Sequence, residues 1–339
     1  MTMKLFNKDL DRDVAIIAEV GVNHEGDVAA ASRLMRLAAE SGANAVKFQS
    51  YTAERLASSD DAERLARVRR FGIDEAAHRQ LAAEAAALGI TFFSTAVTED
   101  WVPLLAELAP VVKIASGDLT FEPVIRAAAA TGKPMILSTG LGTVEEIDQA
   151  VDWVRDESGD SSLADRLVLL HCISAYPTPM AEANLLSVPF LAERYDVPVG
   201  YSNHVPGIDA CLAAVALGAQ VIEAHFTDKK TGRTFRDHEL SLEPDEMAEL
   251  VRRAPAFKAS RGTWGKSRQP SELPLLDLVR KGLVAAHDLS AGHELARDDL
   301  MYARPATGFE AADMDRVLGR RLTQPLAAGA CLIPDALEG

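Results

Sequence analysis

The sequence has 339 residues, 48% of them hydrophobic and 25% charged, which allows a large domain with a core and a smaller second domain. The formal charge of -15 excludes a general nucleic-acid-binding protein, whose affinity would come from clustered Lys and Arg. Three widely spaced cysteines, a charged N-terminus unlike a signal peptide and no apolar run of membrane-spanning length predict a cytoplasmic protein without a membrane anchor.

Eight apolar segments read as strands, and each is followed by an Ala- and Leu-rich amphipathic segment typical of a helix. Buried strands that alternate with helices predict a parallel sheet covered by helices. Eight such units in a domain of this length predict a (β/α)8 TIM barrel, with a doubly wound open sheet as the alternative. The predicted strands are residues 14–20, 45–49, 91–95, 111–115, 134–138, 166–172, 198–202 and 220–226.

Residues 259–279 break this rhythm with Gly, Pro and Ser. They predict a linker between a barrel over residues 1–258 and a small domain over residues 280–339. The small domain has short apolar pieces separated by Asp, Gly and Pro turns, a pattern typical of a β-rich fold. Because about 60 residues bury only a marginal core, we expect this domain to dock on the barrel or on a partner subunit.

Two of the predicted strands carry a lysine in the middle, Lys47 in AVKFQS and Lys113 in VVKIASGD. An unpaired charge in an apolar interior costs several kcal/mol, so each lysine must meet a counter-charge or a ligand. We favour the hypothesis that both lysines reach one pocket and share an anion. In the alternative, they form structural ion pairs with Glu19 or Glu223.

Polar residues fall at the carboxyl ends of the predicted strands, which form the active face of a TIM barrel. His204 and His225 come from adjacent strand ends, with Glu223 on the same strand face as His225. Two imidazoles and a carboxylate predict a site for a divalent metal such as Mn²⁺ or Zn²⁺, against the alternative of buried structural histidines. His171 and Cys172 fit packing as well as function. The other polar residues at strand ends are Glu19, Gln49, Thr95, Ser116, Ser138, Ser174, Tyr176 and Asn203.

The glycine spacing argues against a dinucleotide-binding fingerprint. The segment STGLGTVEE, residues 138–146, has Gly140 and Gly142 but not the third glycine of the dinucleotide fingerprint. The chain also lacks the GxxxxGK[ST] motif, so a P-loop does not hold a nucleotide here.

Ten segments, in order along the whole chain, match one known family. They are IIAEVGVNHEGD (16–27), AVKFQSY (45–51), TFFSTAV (91–97), VKIASGDL (112–119), KPMILSTGL (133–141), LLHCISAYPTP (169–179), GYSNH (200–204), IEAHFT (222–227), RDHELSLEP (236–244) and ARPATGF (303–309). In these segments the sequence resembles the sialic acid (N-acetylneuraminate) synthases, phosphoenolpyruvate-dependent nonulosonic acid synthases that end in an antifreeze-like (SAF) domain. The last segment is similar to that terminal domain.

The resemblance implies a transferase that joins phosphoenolpyruvate to an N-acylated hexosamine of the N-acetylmannosamine type, giving a nonulosonic acid and phosphate by C–O cleavage. A divalent metal, Mn²⁺ with Mg²⁺ or Co²⁺ as alternatives, would bind His204 and His225 with the help of Glu223. It would polarise the sugar aldehyde as a Lewis acid. The charges of phosphoenolpyruvate would be neutralised by Lys47 and Lys113. The hydroxyls implied beside them are those of Thr95, Ser116 and Ser138.

The resemblance also implies where the sugar lies. It would contact Gln49, Tyr176, Glu19 and Asp237, and either Glu19 or Asp237 would also handle a proton. Arg304 of the small domain is expected to reach the active site of the other subunit and contact the N-acyl group, which predicts a domain-swapped homodimer. The predicted catalytic residues are therefore Glu19, Lys47, Lys113 and Asp237, and Ser174 and Asn203 complete the substrate-binding set.

Two departures from the family pattern leave the sugar open. Ser174 stands where some bacterial members have asparagine, and the loop GRTFRDHEL at 232–240 is less rich in Pro and Gly. The candidates are N-acetylmannosamine, its 6-phosphate, and a 2,4-diacetamido sugar that leads to legionaminic or pseudaminic acid. Further alternatives are an aldolase with a Schiff-base lysine and a carbohydrate- or ice-binding protein with a vestigial barrel.

Overall fold

The eight strands predicted from the sequence all form in the computed structural model, which describes residues 3–159 and 162–338. The chain divides into two compact units, Met1–Gly262 and Thr263–Gly339. The strands of the first unit are β1 Lys4–Leu5, β2 Lys8–Asp9, β3 Ala15–Gly21, β4 Ala45–Ser50, β5 Thr91–Ala96, β6 Val112–Ile114, β7 Met135–Ser138, β8 Leu167–His171, β9 Val199–Asn203 and β10 Val221–His225.

Strands β3 to β10 close into a parallel barrel in which every strand pairs with the next and β10 pairs with β3. The closure confirms the (β/α)8 prediction and excludes the doubly wound alternative, whose edge strands would lack a neighbour. Both faces of the strands are buried, because helices cover the outside and side chains from the strands fill the inside.

Helices follow the strands and cover the barrel. Helix ends coincide with capping residues: Thr143 and Glu146 form a reciprocal capping box, and Gly89 ends a helix at a φ of 73°. The helices are α1 Val28–Glu40, α2 Ala53–Leu56, α3 Ala62–Phe71, α4 Glu75–Leu88, α5 Val102–Leu108, α6 Glu122–Ala130, α7 Val144–Ser158, α8 Ser187–Tyr195, α9 Asp209–Leu217, α10 Asp237–Leu240 and α11 Pro244–Ser260.

An N-terminal hairpin that the sequence did not predict closes the amino-terminal end of the barrel. Strands β1 and β2 pair antiparallel, and Met3, Leu5, Phe6 and Leu10 pack with the apolar residues inside the barrel. The carbonyl oxygen of Leu10 accepts hydrogen bonds from Gln220 Nε2 at 2.9 Å and from Lys258 Nζ at 2.8 Å. Strands of two residues are too short to show an alternating pattern, which is why the hairpin escapes sequence analysis.

Two helices, α2 and α3, are inserted between β4 and the covering helix α4. The sequence pattern predicted one helix after each strand and therefore did not separate this insertion. Asp61 begins α3 by accepting a hydrogen bond from the Arg64 amide, and Leu65 and Phe71 are buried. The insertion thus lies at the carboxyl ends of the strands, on the face where a TIM barrel binds its ligands.

The second unit is β-rich, as predicted. Its strands β11 Gly282–Ala285 and β12 Leu300–Ala303 pair antiparallel, and its helices are α12 Leu276–Val279 and α13 Met314–Val317. It has a core of its own, made of Leu283, Ala285, Leu289, Leu295, Leu300, Phe309, Met314, Val317, Leu322, Leu326, Leu332, Ala336 and Leu337.

The segment predicted as a linker, residues 259–279, contains regular structure near its end. A 3₁₀ helix spans Pro270–Leu275 and continues into α12. Pro270 and Pro274 fix φ at values that this helix type accepts, and the Glu272 carboxylate accepts a hydrogen bond from the Gln269 amide at 2.6 Å.

In the described ranges, no helix is both long and apolar enough to cross a membrane.

The hairpin closure predicts a large stability effect at Leu10, whose side chain is fully buried. Leu10→Ala is expected to lower the free energy of unfolding by about 2–5 kcal/mol, because it leaves a cavity in the closed end of the barrel. Chemical denaturation measures the change. Leu88→Ala, at a helical position that is 41% exposed, is the control and should cost far less; equal losses for the two variants would show that the hairpin does not close the core.

His78 predicts an acid-sensitive contribution to stability. Its Nδ1 lies 2.8 Å from the Asp74 carbonyl oxygen, so Nδ1 carries the proton and Nε2 accepts from the Ser50 hydroxyl at 2.6 Å. Burial lowers the pKa of His78 below 6.5. The unfolded chain therefore binds a proton more readily, and this contribution is present above pH 6.5 and is lost as the pH falls below it.

The expected result is that wild type loses more unfolding free energy than His78→Gln when the pH is lowered from about 7.5 to about 5.5. Urea denaturation at several pH values measures both slopes. Identical slopes would mean that His78 does not carry the effect.

Candidate active site

A cavity of about 970 Å³ opens at the carboxyl ends of the barrel strands, where the sequence predicted the active site. Its lining includes all the predicted site residues of the first unit except Asn203. The predicted residues that line it are Glu19, Lys47, Gln49, Thr95, Lys113, Ser116, Ser138, Ser174, Tyr176, His204, Glu223, His225 and Asp237.

The inward face of the barrel changes from apolar to polar within two residues. Alternate residues of a strand point to the same face, so the residue two positions after a core residue also points inward. The register then places Glu19 opposite Lys47 and Thr95 opposite Lys113. The apolar residues and their polar successors are Ile17 and Glu19, Ala45 and Lys47, Phe93 and Thr95, Val111 and Lys113, Ile136 and Ser138, and Val221 and Glu223.

Lys47 lies between two carboxylates. Its Nζ is 2.7 Å from Glu19 Oε2 and 3.6 Å from Glu223 Oε1, and it donates a hydrogen bond to Thr95 Oγ1 at 2.9 Å. All of these side chains are buried. For Lys47, the alternative of ion pairs with Glu19 and Glu223 is present in the structure, and the anion shared with Lys113 stays a prediction. A buried cation is held most readily by partners of opposite charge in hydrogen-bonding reach.

The two carboxylates differ in proton affinity. Burial raises the pKa of Glu19 to about 7, and the neighbouring charge of Glu223 acts in the same direction against the pull of Lys47. For Glu223 burial is outweighed by Lys113 and Lys47, which hold its pKa at about 2. The same pairing raises the pKa of Lys47 against the effect of burial. Glu223 is therefore the permanent anion, and Glu19 is the group that exchanges a proton near neutral pH.

Lys113 is buried without a direct counter-charge. Its Nζ donates to Ser138 Oγ at 2.7 Å and to the Ile114 carbonyl oxygen at 2.9 Å. No carboxylate in the described part of the chain forms a salt bridge with it, and burial lowers its pKa. A bound anion would stabilise a buried lysine that lacks a carboxylate partner. An anion beside Lys113 therefore stays a prediction.

Small hydroxyl groups surround the same spot. The Gly140 amide donates to Ser116 Oγ at 3.0 Å. A Cβ at Gly140 would lie 2.8 Å from Ser116 Oγ and from Cys172 Sγ and would overlap Ser174 Oγ, so only glycine fits here. The Ser174 hydroxyl is buried without a hydrogen-bond partner among the described residues. These groups form a cradle of donors beside Lys113.

The two predicted metal ligands lie side by side. The ring centroids of His204 and His225 are 5.4 Å apart. His204 Nδ1 donates to the Ile173 carbonyl oxygen at 2.7 Å, which leaves Nε2 as a free lone pair, and burial lowers the pKa of His204 to about 4. Burial also lowers the pKa of His225. Both imidazoles are neutral at pH 7, the form that binds a metal.

Unpaired buried atoms support a metal at this position. His225 Nδ1 and Glu223 Oε2 are buried and lack hydrogen-bond partners among the described residues. In the same ranges, no three His, Cys, Asp or Glu side chains form a complete cluster of ligands. The histidine pair therefore fits an open site, in which solvent or substrate supplies the other ligands.

An aromatic wall covers the histidines. The Tyr176 ring lies 4.2 Å from the His204 ring and meets the His225 ring edge-on at 6.0 Å. The Arg236 guanidinium lies 5.3 Å from the centre of the Tyr176 ring and pairs with Asp237 Oδ1 at 3.3 Å. The loop at 232–240 thus borders the cavity, and Asp237 lines it as predicted.

Asn203 does not line the cavity, and His171 and Cys172 make structural contacts. Asn203 Nδ2 donates to the carbonyl oxygens of Val205 and Gly207, so its side chain stabilises the loop after β9, and its substrate contact stays a prediction. Arg304 follows β12 in the second unit, where it is exposed, and its role remains a prediction. His171 Nε2 bonds to the Ala183 carbonyl oxygen, and Cys172 is buried against Ser116.

Sequence analysis missed the wall that α3 contributes. Arg64, Arg67, Val68 and Phe71 of this helix line the cavity. The segment RLARVRRF is visibly basic and has helical spacing, but no pattern in the sequence shows that an inserted helix turns one face toward the barrel.

Comparison with known proteins agrees with this geometry. The sequence profile of the NeuB family matches residues 34–266, and that of the SAF domain matches residues 280–338. The N,N'-diacetyllegionaminic acid synthase of Legionella pneumophila is 36% identical over 337 residues, covering 95% of this chain and 94% of the relative. The N-acetylneuraminate-9-phosphate synthase of Mus musculus is 31% identical, covering 95% of this chain and 92% of the relative.

A solved structure has the same architecture. The crystal structure of the N-acetylneuraminic acid (sialic acid) synthetase of Leptospira borgpetersenii in complex with citrate superposes with a TM-score of 0.75 at 34% identity. The match covers 81% of this chain and 94% of that one. The order of the barrel, the terminal SAF domain and the similarity along the whole sequence lead to one conclusion: the chain belongs to the NeuB family of nonulosonic acid synthases.

Proposed function

We propose that this chain joins phosphoenolpyruvate to an N-acylated hexosamine and releases phosphate and a nine-carbon nonulosonic acid. The observation that carries the proposal is that one cavity holds both a donor cradle around the unneutralised Lys113 and a pair of neutral histidines. The cradle suits a phosphorylated anion, and the histidines suit a metal beside the second reactant. Membership of the NeuB family supports this choice of reaction.

The cradle would hold phosphoenolpyruvate. Lys113 and the hydroxyl groups of Ser116, Ser138 and Ser174, which line the cavity, would donate hydrogen bonds to phosphate oxygens. Charge-assisted hydrogen bonds of this kind are strong in a buried site. Lys47 adds positive charge but is shared with Glu19 and Glu223. The same donors would stabilise the phosphate as it leaves, since charge builds up on its oxygens when the C–O bond breaks.

The reaction balances as two additions and one elimination, and the two protons of the added water end on the former aldehyde oxygen and on the released phosphate. Carbon 3 of phosphoenolpyruvate attacks the aldehyde carbon of the open-chain sugar, water adds at carbon 2, and the tetrahedral intermediate expels phosphate. His204 and His225 would hold a divalent metal, Mn²⁺ first among the candidates, with Glu223 nearby. When bound, such an ion supplies Lewis-acid polarisation of a carbonyl oxygen.

Glu19 is the residue best placed to exchange a proton. Its pKa of about 7 lets the carboxyl group give up or accept a proton near neutral pH. Its Oε1 accepts a hydrogen bond from Gln49 Nε2 at 3.2 Å, which fixes the orientation of the carboxyl group. Gln49, Tyr176 and Asp237 complete the wall against which the sugar would lie.

The proposal predicts that phosphate release from phosphoenolpyruvate requires both Mn²⁺ and an N-acylated hexosamine. Lys113→Met keeps the side-chain volume but removes the cation of the cradle. We expect kcat/KM to fall about 100-fold or more, because transition-state charge loses its main partner. Steady-state phosphate release measures the change.

Lys133→Met is the matched control, because Lys133 also donates to a backbone carbonyl, that of Ala109, and does not line the cavity. Its kcat/KM should stay close to wild type. Phosphate release without any sugar, or an active Lys113→Met, would contradict the proposed reaction.

The histidine pair predicts metal dependence. Chelation should abolish turnover of the wild type, and added Mn²⁺ should restore it, whereas His204→Gln and His225→Gln should bind Mn²⁺ at least about 100-fold more weakly because each loses an imidazole ligand. Calorimetric titration with Mn²⁺ measures binding without turnover. His171→Gln, a buried histidine outside the cavity, should bind Mn²⁺ normally; unchanged binding by the two active-site variants would place the metal elsewhere.

A further inference from the structure

One face of α3 points into the cavity. Arg64, Arg67, Val68 and Phe71 all line it, and their spacing of three, four and seven residues is that of one helix face. The face therefore presents two guanidinium groups to the cavity, above an apolar base formed by Val68 and Phe71.

These two arginines lack partners, whereas the other two arginines of α3 have them. Arg69 pairs with Glu54 at 2.7 Å, and the Arg70 guanidinium lies over the Phe71 ring at 4.8 Å. Among the described residues, neither Arg64 nor Arg67 forms a side-chain ion pair or hydrogen bond. Two like charges three residues apart on a helix repel each other, so helix stability alone does not explain them.

The helix that carries the arginines is firmly anchored. Phe71 meets the Phe235 ring edge-on at 5.2 Å, and the Tyr51 hydroxyl donates to the Val68 carbonyl oxygen at 3.2 Å. Gly26, at a φ of 86°, packs so closely against the Arg70 carbonyl that a Cβ would overlap it. The positions of Arg64 and Arg67 at the cavity wall are thus set by a fixed backbone.

The cations of the cavity form two tiers. Lys47 and Lys113 are buried at the floor, 3% and 2% exposed, while Arg64 and Arg67 are exposed at the wall. In the proposed function, phosphoenolpyruvate is held at the floor by Lys113 and the hydroxyl groups beside it. Arg236 is already engaged by Asp237 and Tyr176. Arg64 and Arg67 are therefore available to bind a second anionic group, nearer the solvent than the two lysines.

We infer that Arg64 and Arg67 form an outer anion subsite, which binds a negatively charged substituent on the end of the acceptor sugar remote from its aldehyde. The subsite rests on the proposed function and adds a selection rule to it. Guanidinium groups bind phosphomonoesters and carboxylates through paired hydrogen bonds, so either group satisfies the chemistry. The preferred acceptor is then an anionic N-acylated hexosamine rather than a neutral one.

Calorimetric titration of the full chain with Mn²⁺ present tests the subsite. The titrants are N-acetylmannosamine, its 6-phosphate and its 6-carboxylate, and the last two separate a phosphate from a carboxylate preference. In wild type, one of the charged sugars should bind at least about 10-fold more tightly than the neutral sugar. In Arg64→Ala/Arg67→Ala this preference should be lost: affinity for the charged sugar should fall by about the wild-type preference, at least about 10-fold, and affinity for the neutral sugar should stay within about two-fold.

Arg69→Ala is the matched control, since Arg69 belongs to the same helix and pairs with Glu54 outside the cavity lining. It should keep the wild-type preference. Equal affinity for neutral and charged sugars in wild type, no binding of either, or an equal loss for both sugars in the double variant would overturn the subsite. A double variant that weakens phosphoenolpyruvate binding instead would assign the arginines to that substrate and overturn it too.

Failure of the proposed reaction gives a different result. If no sugar supports phosphate release, the reaction is wrong, but a charged-sugar preference that disappears in the double variant still supports the subsite. If neutral sugars are good substrates and Arg64→Ala/Arg67→Ala has an unchanged KM for the sugar, the proposed reaction is supported and the anion subsite is wrong.

Discussion

The active end of this barrel depends on the burial of Lys47 between Glu19 and Glu223. A lone ammonium in this position would cost several kcal/mol, and so would either carboxylate without the lysine. The three groups are therefore stable only together, on three neighbouring strands that the register holds side by side. The site exists because the barrel closes β10 onto β3, which brings Glu223 from the last strand next to Glu19 from the first.

The charged groups at the bottom of the cavity lie on a layer of apolar side chains inside the barrel. Inside the barrel, the layer beneath the charged groups consists of Ile17, Ala45, Phe93, Val111 and Val221, and the N-terminal hairpin closes the end below it. Water is thus excluded from one side of the ion pairs, which strengthens every electrostatic interaction within the site. The same exclusion of water raises the pKa of Glu19 and lowers that of Lys113, whereas at Glu223 the charges of Lys113 and Lys47 outweigh burial and lower the pKa.

The sequence predicted the barrel and most of its floor, for a physical reason. A buried parallel strand is a continuous apolar run, so a lysine or glutamate near its end is conspicuous, and the barrel geometry then assigns all such residues to one place. Asn203 shows the limit of that reasoning, since a residue at a strand end can turn its side chain into the adjacent loop. The N-terminal hairpin and the wall from α3 escaped prediction because their positions depend on tertiary contacts, such as Phe71 against Phe235, that no local pattern encodes.

The two buried lysines lie at similar positions in their strands but differ in their partners: Lys47 has carboxylates beside it and Lys113 does not. Lys47 is neutralised before any ligand arrives, whereas Lys113 has only the Ser138 hydroxyl and a backbone carbonyl. An arriving dianion therefore gains most from Lys113 and must compete with Glu19 for Lys47. Because the pKa of Glu19 is about 7, that carboxyl group can take up a proton as the ligand binds and release Lys47 to it. Glu223, with a pKa of about 2, stays charged throughout. The floor can thus accept an anion without burying unbalanced charge.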